Sequence, residues 1–381
     1  MAEPTVVIDG IAQGGAGVGR IDGKVVFVDG ALPGEEVLVR IDETRSRYSR
    51  GTAIEVLEAS PRRTEPPCPH FDSCGGCSWQ MAAYEAQLDW KTEIVGSQLI
   101  QIGRLETDVA RCLSAGEPFG YRNRLDLRTA GGKPALLARR SHTPVPLDVC
   151  LLAAGPIAEA VASIDGLPDG GRLTLRAGLR TGDTATIWDG PDPGIEAVSA
   201  SDAVIFEEVA GRRFRISGRA FFQVNTGAAE ILVDTVRRAA DADPDVVVDV
   251  YAGGGLLGIS VATARLISIE ANRKAVADLR HNRGGDEDVL GMPASKALGK
   301  LTGLDVDVMI VDPPRSGIDA QTVNAMLAIR PKTLVSVSCD PATFARDART
   351  LLDAGYRLDF VQPIDMFPQT PHVEIVGRFI V

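Results

Sequence analysis

Between residues 5 and 58, short apolar runs such as Val6-Val7-Ile8, Val25-Val26-Phe27-Val28 and Glu36-Val37-Leu38-Val39-Arg40-Ile41 are separated by Asp-Gly and Pro-Gly pairs. Runs rich in β-branched residues and bounded by such turns predict a small β-barrel. The glycine-rich segment Gly14 to Arg20 lacks the Lys-Ser/Thr ending of a phosphate loop and no long helix follows it, so a hairpin turn is expected there. A proline-dense stretch, Pro61 to Pro69, ends the barrel. From 79 to 103, Met81, Tyr84, Leu88, Ile94 and Leu99 fall at near-helical spacing and predict an amphipathic helix. Residues 119 to 218 read as short strands and turns. Beyond Phe221 a helix leads into alternating strands and helices, the pattern of a doubly wound α/β sheet.

Composition narrows the class. A chain of 381 residues suggests two or three domains, and 45% hydrophobic with 24% charged residues is ordinary for a globular protein. No cationic, apolar leader pattern and no membrane-length apolar run is present, so the expected compartment is the cytoplasm, with no membrane partner. The formal charge of -11 has the wrong sign for gripping a nucleic acid with the whole surface, so a polyanion would need a local basic patch. Arg45-Ser46-Arg47-Tyr48-Ser49-Arg50 offers three guanidiniums and an aromatic ring; it reads either as a solvated loop or as an RNA-facing patch. Six cysteines are too few for a disulfide scaffold, and each asks for its own role.

Three of those cysteines, Cys68, Cys74 and Cys77, lie within ten residues around Gly75-Gly76, with Cys150 further on. Four thiolates suit tetrahedral zinc or an iron-sulfur cluster, and their softness does not choose between them. The run Asp245 to Gly255 reads as a buried strand ending in a glycine turn that feeds a helix over 256–264, and Ile267 to Glu270 follows as a second strand. Its terminal acid, 21 residues after Asp249, stands where a ribose hydroxyl pair would be held; an exposed strand-end carboxylate is the alternative. Val306 to Gly317 is another buried strand, ending in Asp312-Pro313-Pro314-Arg315, whose prolines stiffen the loop. The next strand, from Thr333, ends in Ser338-Cys339-Asp340-Pro341. A cysteine there is either a core residue or a nucleophile, and its place at a strand's carboxyl end beside Asp312 favours the nucleophile. His372-Val373-Glu374 sets a carboxylate at the start of the last strand, over 375–381.

Taken with Phe221-Phe222-Gln223-Val224-Asn225, these motifs resemble the S-adenosylmethionine-dependent RNA uracil-5-methyltransferases of the tRNA and 23S rRNA type, specifically members with a TRAM barrel and a [4Fe-4S] cluster. The resemblance spans nearly the whole chain. It implies a multidomain α/β fold: a TRAM, OB-like β-barrel over 1–59, a central mixed β and irregular iron-sulfur and RNA-binding domain over 60–80 and 112–218, and a Rossmann-like class I methyltransferase sheet over 81–111 and 219–381. It implies Cys339 as nucleophile and Glu374 as base. Gln223, Tyr251, Glu270 and Asp312 would then bind S-adenosylmethionine, and Cys68, Cys74, Cys77 and Cys150 a [4Fe-4S] cluster, with zinc as the alternative. The partner would be RNA, rRNA ahead of tRNA, acted on by a monomer; Phe221 or Phe222 could stack on the target base, and Cys112 is left as structural filler. Two competing expectations are an RNA-binding protein with a vestigial methyltransferase domain and a methyltransferase acting on another substrate. Two positions depart from the family pattern: Tyr-Ala-Gly-Gly-Gly where members often have Tyr-Cys-Gly-x-Gly, and Gly291-Met292-Pro293 where an acid often meets the adenine.

Overall fold

The computed structural model describes residues 3–191, 202–240, 243–285 and 288–381. The first five strands, β1 (Thr5–Ile11), β2 (Gly17–Ile21), β3 (Lys24–Asp29), β4 (Glu36–Thr44) and β5 (Tyr48–Glu58), close into a barrel in the order β1-β2-β3-β5-β4. Alternation along the strands sends Val6, Ile8, Val26, Val28, Val37 and Val39 into its core. The glycine-rich segment forms the turn between β1 and β2, as its composition predicts.

Helix α1 (Tyr84–Gln98) continues into a π-helical turn, Leu99–Gly103. It begins five residues later than the spacing suggests, and it is not amphipathic. Besides Leu88, Trp90, Ile94 and Val95 it buries Gln87 and Lys91, because both side chains bind a loop far along the chain.

A second sheet has the order β10-β9-β6-β7-β8, from β6 (Arg124–Ala130), β7 (Lys133–Leu137), β8 (Pro144–Pro146), β9 (Arg172–Ala177) and β10 (Thr184–Asp189), with helix α2 (Gly155–Ser163) against it. The hairpin β11 (Val204–Val209) and β12 (Arg212–Ser217) follows. Among the described residues, no three His, Cys, Asp or Glu side chains are arranged to hold a metal ion, so the structure gives this region its strands but not the expected cluster.

The remaining chain is a seven-stranded sheet of order β15-β14-β13-β16-β17-β19-β18. Its elements are α3 (Thr226–Ala239), β13 (Val246–Val250), α4 (Leu256–Val261), β14 (Arg265–Ile269), α5 (Arg273–Arg283), β15 (Val289–Leu290), α6 (Ala294–Gly299), β16 (Val308–Val311), α7 (Ala320–Ile329), β17 (Thr333–Ser338), α8 (Pro341–Asp353), β18 (Arg357–Ile364) and β19 (Glu374–Ile380). Strands β13, β16 and β17 are parallel; β13 and β16 are apolar along nearly their whole length and β17 is buried throughout although Thr333, Ser336 and Ser338 interrupt it, because both faces are covered: residues of β13 and β16 divide between two hydrophobic clusters. Side-chain caps start the helices, Asn225 for α3, Asn272 for α5, Asp319 for α7 and Asp340 for α8. The last strand runs antiparallel between β17 and β18. Among the described residues no helix is long and apolar enough to cross a membrane.

Candidate active site

Strand order reverses between β13 and β16, and the crevice past their carboxyl ends is where such sheets take ligands. A cavity opens there, lined by Phe221, Phe222, Gln223, Tyr251, Ala252, Gly253, Gly254, Leu256 and Leu257 with the carboxyls of Asp249 and Asp312. Tyr251 holds φ at +64°, a left-handed conformation costly for a tyrosine, and its hydroxyl lies 3.5 Å from Asp319. Glu270 accepts the amide of Gly253 at 2.9 Å on one oxygen and that of Asn272 at 2.6 Å on the other, which ties the glycine turn to the end of β14.

No motif singles out Asp249 as a site residue, yet it lines this cavity, 1% exposed. Burial, partly offset by the amide of Gly258 at 3.0 Å, pushes its carboxyl up to about 7. Burial and the Asp249 charge push Asp312 to about 7 as well. A Cβ on Gly258 would come within 2.6 Å of the Asp249 carboxylate, so only glycine fits beneath that oxygen.

Of the two phenylalanines, Phe222 is core, packed 5.9 Å from Phe214, whereas Phe221 is 68% exposed at the cavity mouth. Only Phe221 is available to a flat ligand.

Cys339 follows Ser338 at the end of β17, and Glu374 precedes Ile375 in β19; Ser338 pairs with Ile375, so the next step of the register sets Cys339 across from Glu374. Burial pushes the thiol up to about 11, the carboxylates of Glu374 and Asp312 add to this, and the Arg315 guanidinium opposes it. Glu374 is 4% exposed; burial first, then the charge of Asp312, raises its carboxyl well above the usual range, again against Arg315. Arg315 is therefore the cation common to both groups. Only its place in the Asp-Pro-Pro-Arg segment hinted at it.

Cys68, Cys74, Cys77 and Cys150 line one recess with Phe71, Leu125, Leu136 and Leu147. Burial pushes the Cys77 thiol to about 12 and raises Cys74 and Cys150; the other thiols of the recess add to these shifts. The Gly76 amide points at the Cys74 sulfur, 3.4 Å away. Cys112 is buried elsewhere, in the core around α1 and α8.

The arginines of the barrel are largely engaged within it. Arg45 pairs with Glu43 at 2.5 Å, and the Arg50 guanidinium lies over the rings of Phe27 and Tyr48. A more basic surface runs along the second sheet: a groove of about 600 Å³ lined by Arg124, Arg128, Arg172 and Arg219 with Gly75 and Gly76. Arg128 and Arg172 face each other directly across β6 and β9. Arg124 is paired with Asp126, and no ion pair to Arg128 or Arg172 is found among the described residues.

The chain is similar to known proteins along its length. Residues 2–54 match the TRAM domain and residues 296–380 the tRNA (uracil-5-)-methyltransferase family. An uncharacterized RNA methyltransferase of Caldanaerobacter subterraneus subsp. tengcongensis is 34% identical, over 98% of this chain and 96% of its own. One of Gloeobacter violaceus is 35% identical, over 98% and 95%. Among solved structures, the Pyrococcus abyssi tRNA (uracil-54, C5)-methyltransferase in complex with S-adenosyl-L-homocysteine superposes with a TM-score of 0.76 at 25% identity, over 99% of both chains.

Proposed function

This chain belongs to the S-adenosylmethionine-dependent RNA (uracil-5-)methyltransferases, and on that premise we propose that Cys339 is the nucleophile and Glu374 the base in methyl transfer to C5 of a uridine. The observation that carries the proposal is a thiol just past the end of β17, one register step beyond its last pair and so beside the buried carboxylate that begins β19, with one cation acting on both.

Uracil C5 is a weak nucleophile. The Cys339 sulfur, losing its proton, bonds to C6 and drives electron density into an enolate with its nucleophilic end at C5. S-adenosylmethionine, when bound, supplies the methyl group as a sulfonium electrophile. Glu374 then takes the C5 proton, the C6–S bond breaks, the ring double bond re-forms and Cys339 departs as a thiolate. One proton, from C5, is released overall. A carboxyl raised by burial is a strong base once ionised, and Arg315 favours the thiolate at both ends of the sequence.

The crevice residues fit the cofactor. A glycine turn allows close approach, the apolar wall of Leu256 and Leu257 suits a flat ring, and the Glu270 carboxylate keeps lone pairs for ribose hydroxyls beyond its two amides. We assign Gln223, Tyr251, Glu270 and Asp312 to it. Attack at C6 requires a base out of its stack, and Phe221 is exposed to receive one.

The four thiols share one apolar recess with a backbone amide on a sulfur, a setting that suits a [4Fe-4S] cluster, with zinc as the alternative. Cys68, Cys74, Cys77 and Cys150 would hold the cluster in a structural role beside the groove.

Like charges directly opposed across a sheet are destabilising, and Arg128 with Arg172 is such a pair, so a phosphodiester in the groove would relieve it. We take this groove as the path of the RNA. The resemblance to TRAM-containing, cluster-containing members favours rRNA, whereas the family description and the solved relative both name tRNA. Methyl transfer is to be assayed on total RNA from cells lacking the gene, with 5-methyluridine mapped in both pools. Cys339→Ala should abolish transfer and Glu374→Gln should accumulate a protein–RNA adduct; transfer by Cys339→Ala at the normal rate would refute the covalent route.

A further inference from the structure

The turn between β1 and β2 does more than close the barrel. Its Gln13 side-chain amide donates to Asp340 Oδ2 at 2.9 Å, across 327 residues of sequence. Asp340 is the residue after Cys339, and its other oxygen accepts the Thr343 amide at 2.9 Å to cap α8. One carboxylate thus fixes the thiol's loop to the helix behind it and to the barrel in front. Two residues on, Gly15 (φ +84°) is pressed against Pro371, where an added Cβ would come within 2.9 Å of that ring, and its carbonyl accepts the indole N–H of buried Trp79 at 3.0 Å. Pro371 lies three residues before Glu374. The backbone amide of Trp79 in turn donates to Gln369 in the same loop. The barrel turn therefore touches the flanks of both the nucleophile and the base.

We propose that Gln13 is a positioning residue for Cys339: the barrel, through this turn, sets the geometry of the catalytic pair as well as any hold it has on RNA. The inference rests on the reading of Cys339 and Glu374 given above. A hydrogen bond to a carboxylate fixes a loop that has no strand or helix pairing at Cys339 itself, and small misplacements of a reacting group are costly to rate.

The test is steady-state methyl transfer by the full-length protein to total RNA from cells lacking the gene, with S-adenosylmethionine binding and Tm as controls for folding. Gln13→Ala should lower kcat by about tenfold while KM for RNA stays within about twofold. Gln13→Lys, which retains a donor of similar reach, should recover most of the loss; Gln13→Glu, which sets a second carboxylate against Asp340, should not. In a double-mutant cycle, Gln13→Ala and Asp340→Asn should be non-additive. A Gln13→Ala enzyme with normal kcat overturns the inference, as does one whose KM rises with kcat unchanged, since that marks a mere RNA contact. If Cys339→Ala retains normal transfer, the catalytic reading itself falls; if Cys339→Ala is inactive and Gln13→Ala fully active, only the positioning role falls.

Discussion

Arg315 offers the sharpest test of the site's electrostatics. With the Cys339 thiol pushed up to about 11, only about one thiol in a thousand is ionised at pH 8 in the free enzyme. Burial and the nearby carboxylates of Glu374 and Asp312 raise that value, a backbone amide lowers it, and Arg315 is the one named charge that lowers it. Removing a close opposite charge changes an ionised fraction by roughly tenfold to a thousandfold. Arg315 is exposed, so water and salt hold its effect near the lower figure. The perturbation is Arg315→Gln, and the assay is the rate of Cys339 alkylation by iodoacetamide against pH, read by mass spectrometry of the peptide that contains it. The variant should react about tenfold more slowly between pH 7 and 9, with its midpoint moved up. Glu374→Gln should do the opposite, reacting faster because a carboxylate charge beside the thiol is gone. Equal profiles for Arg315→Gln and the parent protein, or slower reaction in Glu374→Gln, would refute the reasoning.

Asp249 carries a carboxyl raised to about 7 by burial, so the stability tied to its protonated form is fully present below about 3.8 and lost as pH rises through 7. Asp249→Asn should therefore melt no higher than the parent at pH 4 and above it at pH 8, both without cofactor; parallel Tm curves would contradict the assignment. Protein isolated without oxygen should contain iron and acid-labile sulfide, and Cys77→Ser should lose both together; stoichiometric zinc without sulfide would favour the other metal. In the groove, Arg128→Ala and Arg172→Ala should each weaken RNA binding and lower the slope of log K against log salt by about one, with Arg45→Ala nearly silent; equal effects from Arg45 would return the RNA path to the barrel.

How far the sequence reached depended on whether a feature is local. The barrel strands and the βα alternation are written in periods of two and in apolar runs, so they could be read directly. Helix α1 is legible as a helix but its buried face is not, because Gln87 and Lys91 are explained by partners 282 and 274 residues away, Gln369 and Asp365. Strand order is likewise invisible in a run of apolar residues, yet the insertion of β19 between β17 and β18 is what brings Glu374 across from Cys339. The Arg45 to Arg50 run shows another limit of reading the chain locally. Charge density along the chain takes no account of neighbours, and Glu43, Phe27 and Tyr48 engage two of those three arginines, while four others scattered over β6, β9 and the loop after β12 share one groove.

The loop that leads into Glu374 has no regular structure from Asp365 to Val373, so its shape must come from elsewhere. Lys91 of α1 ties down its start, pairing with Asp365 at 2.5 Å and donating to the Phe367 carbonyl at 3.1 Å, both ions fully buried. Gln87, one turn earlier, binds both the amide and the side chain of Gln369, whose φ is +68°. The barrel turn closes the far side at Pro371. A strained, irregular segment held by two separate parts of the chain keeps one conformation only while both are docked. The barrel and α1 are therefore part of the catalytic apparatus in the mechanical sense, and substitutions that loosen either should be felt first at Glu374, before global stability is lost.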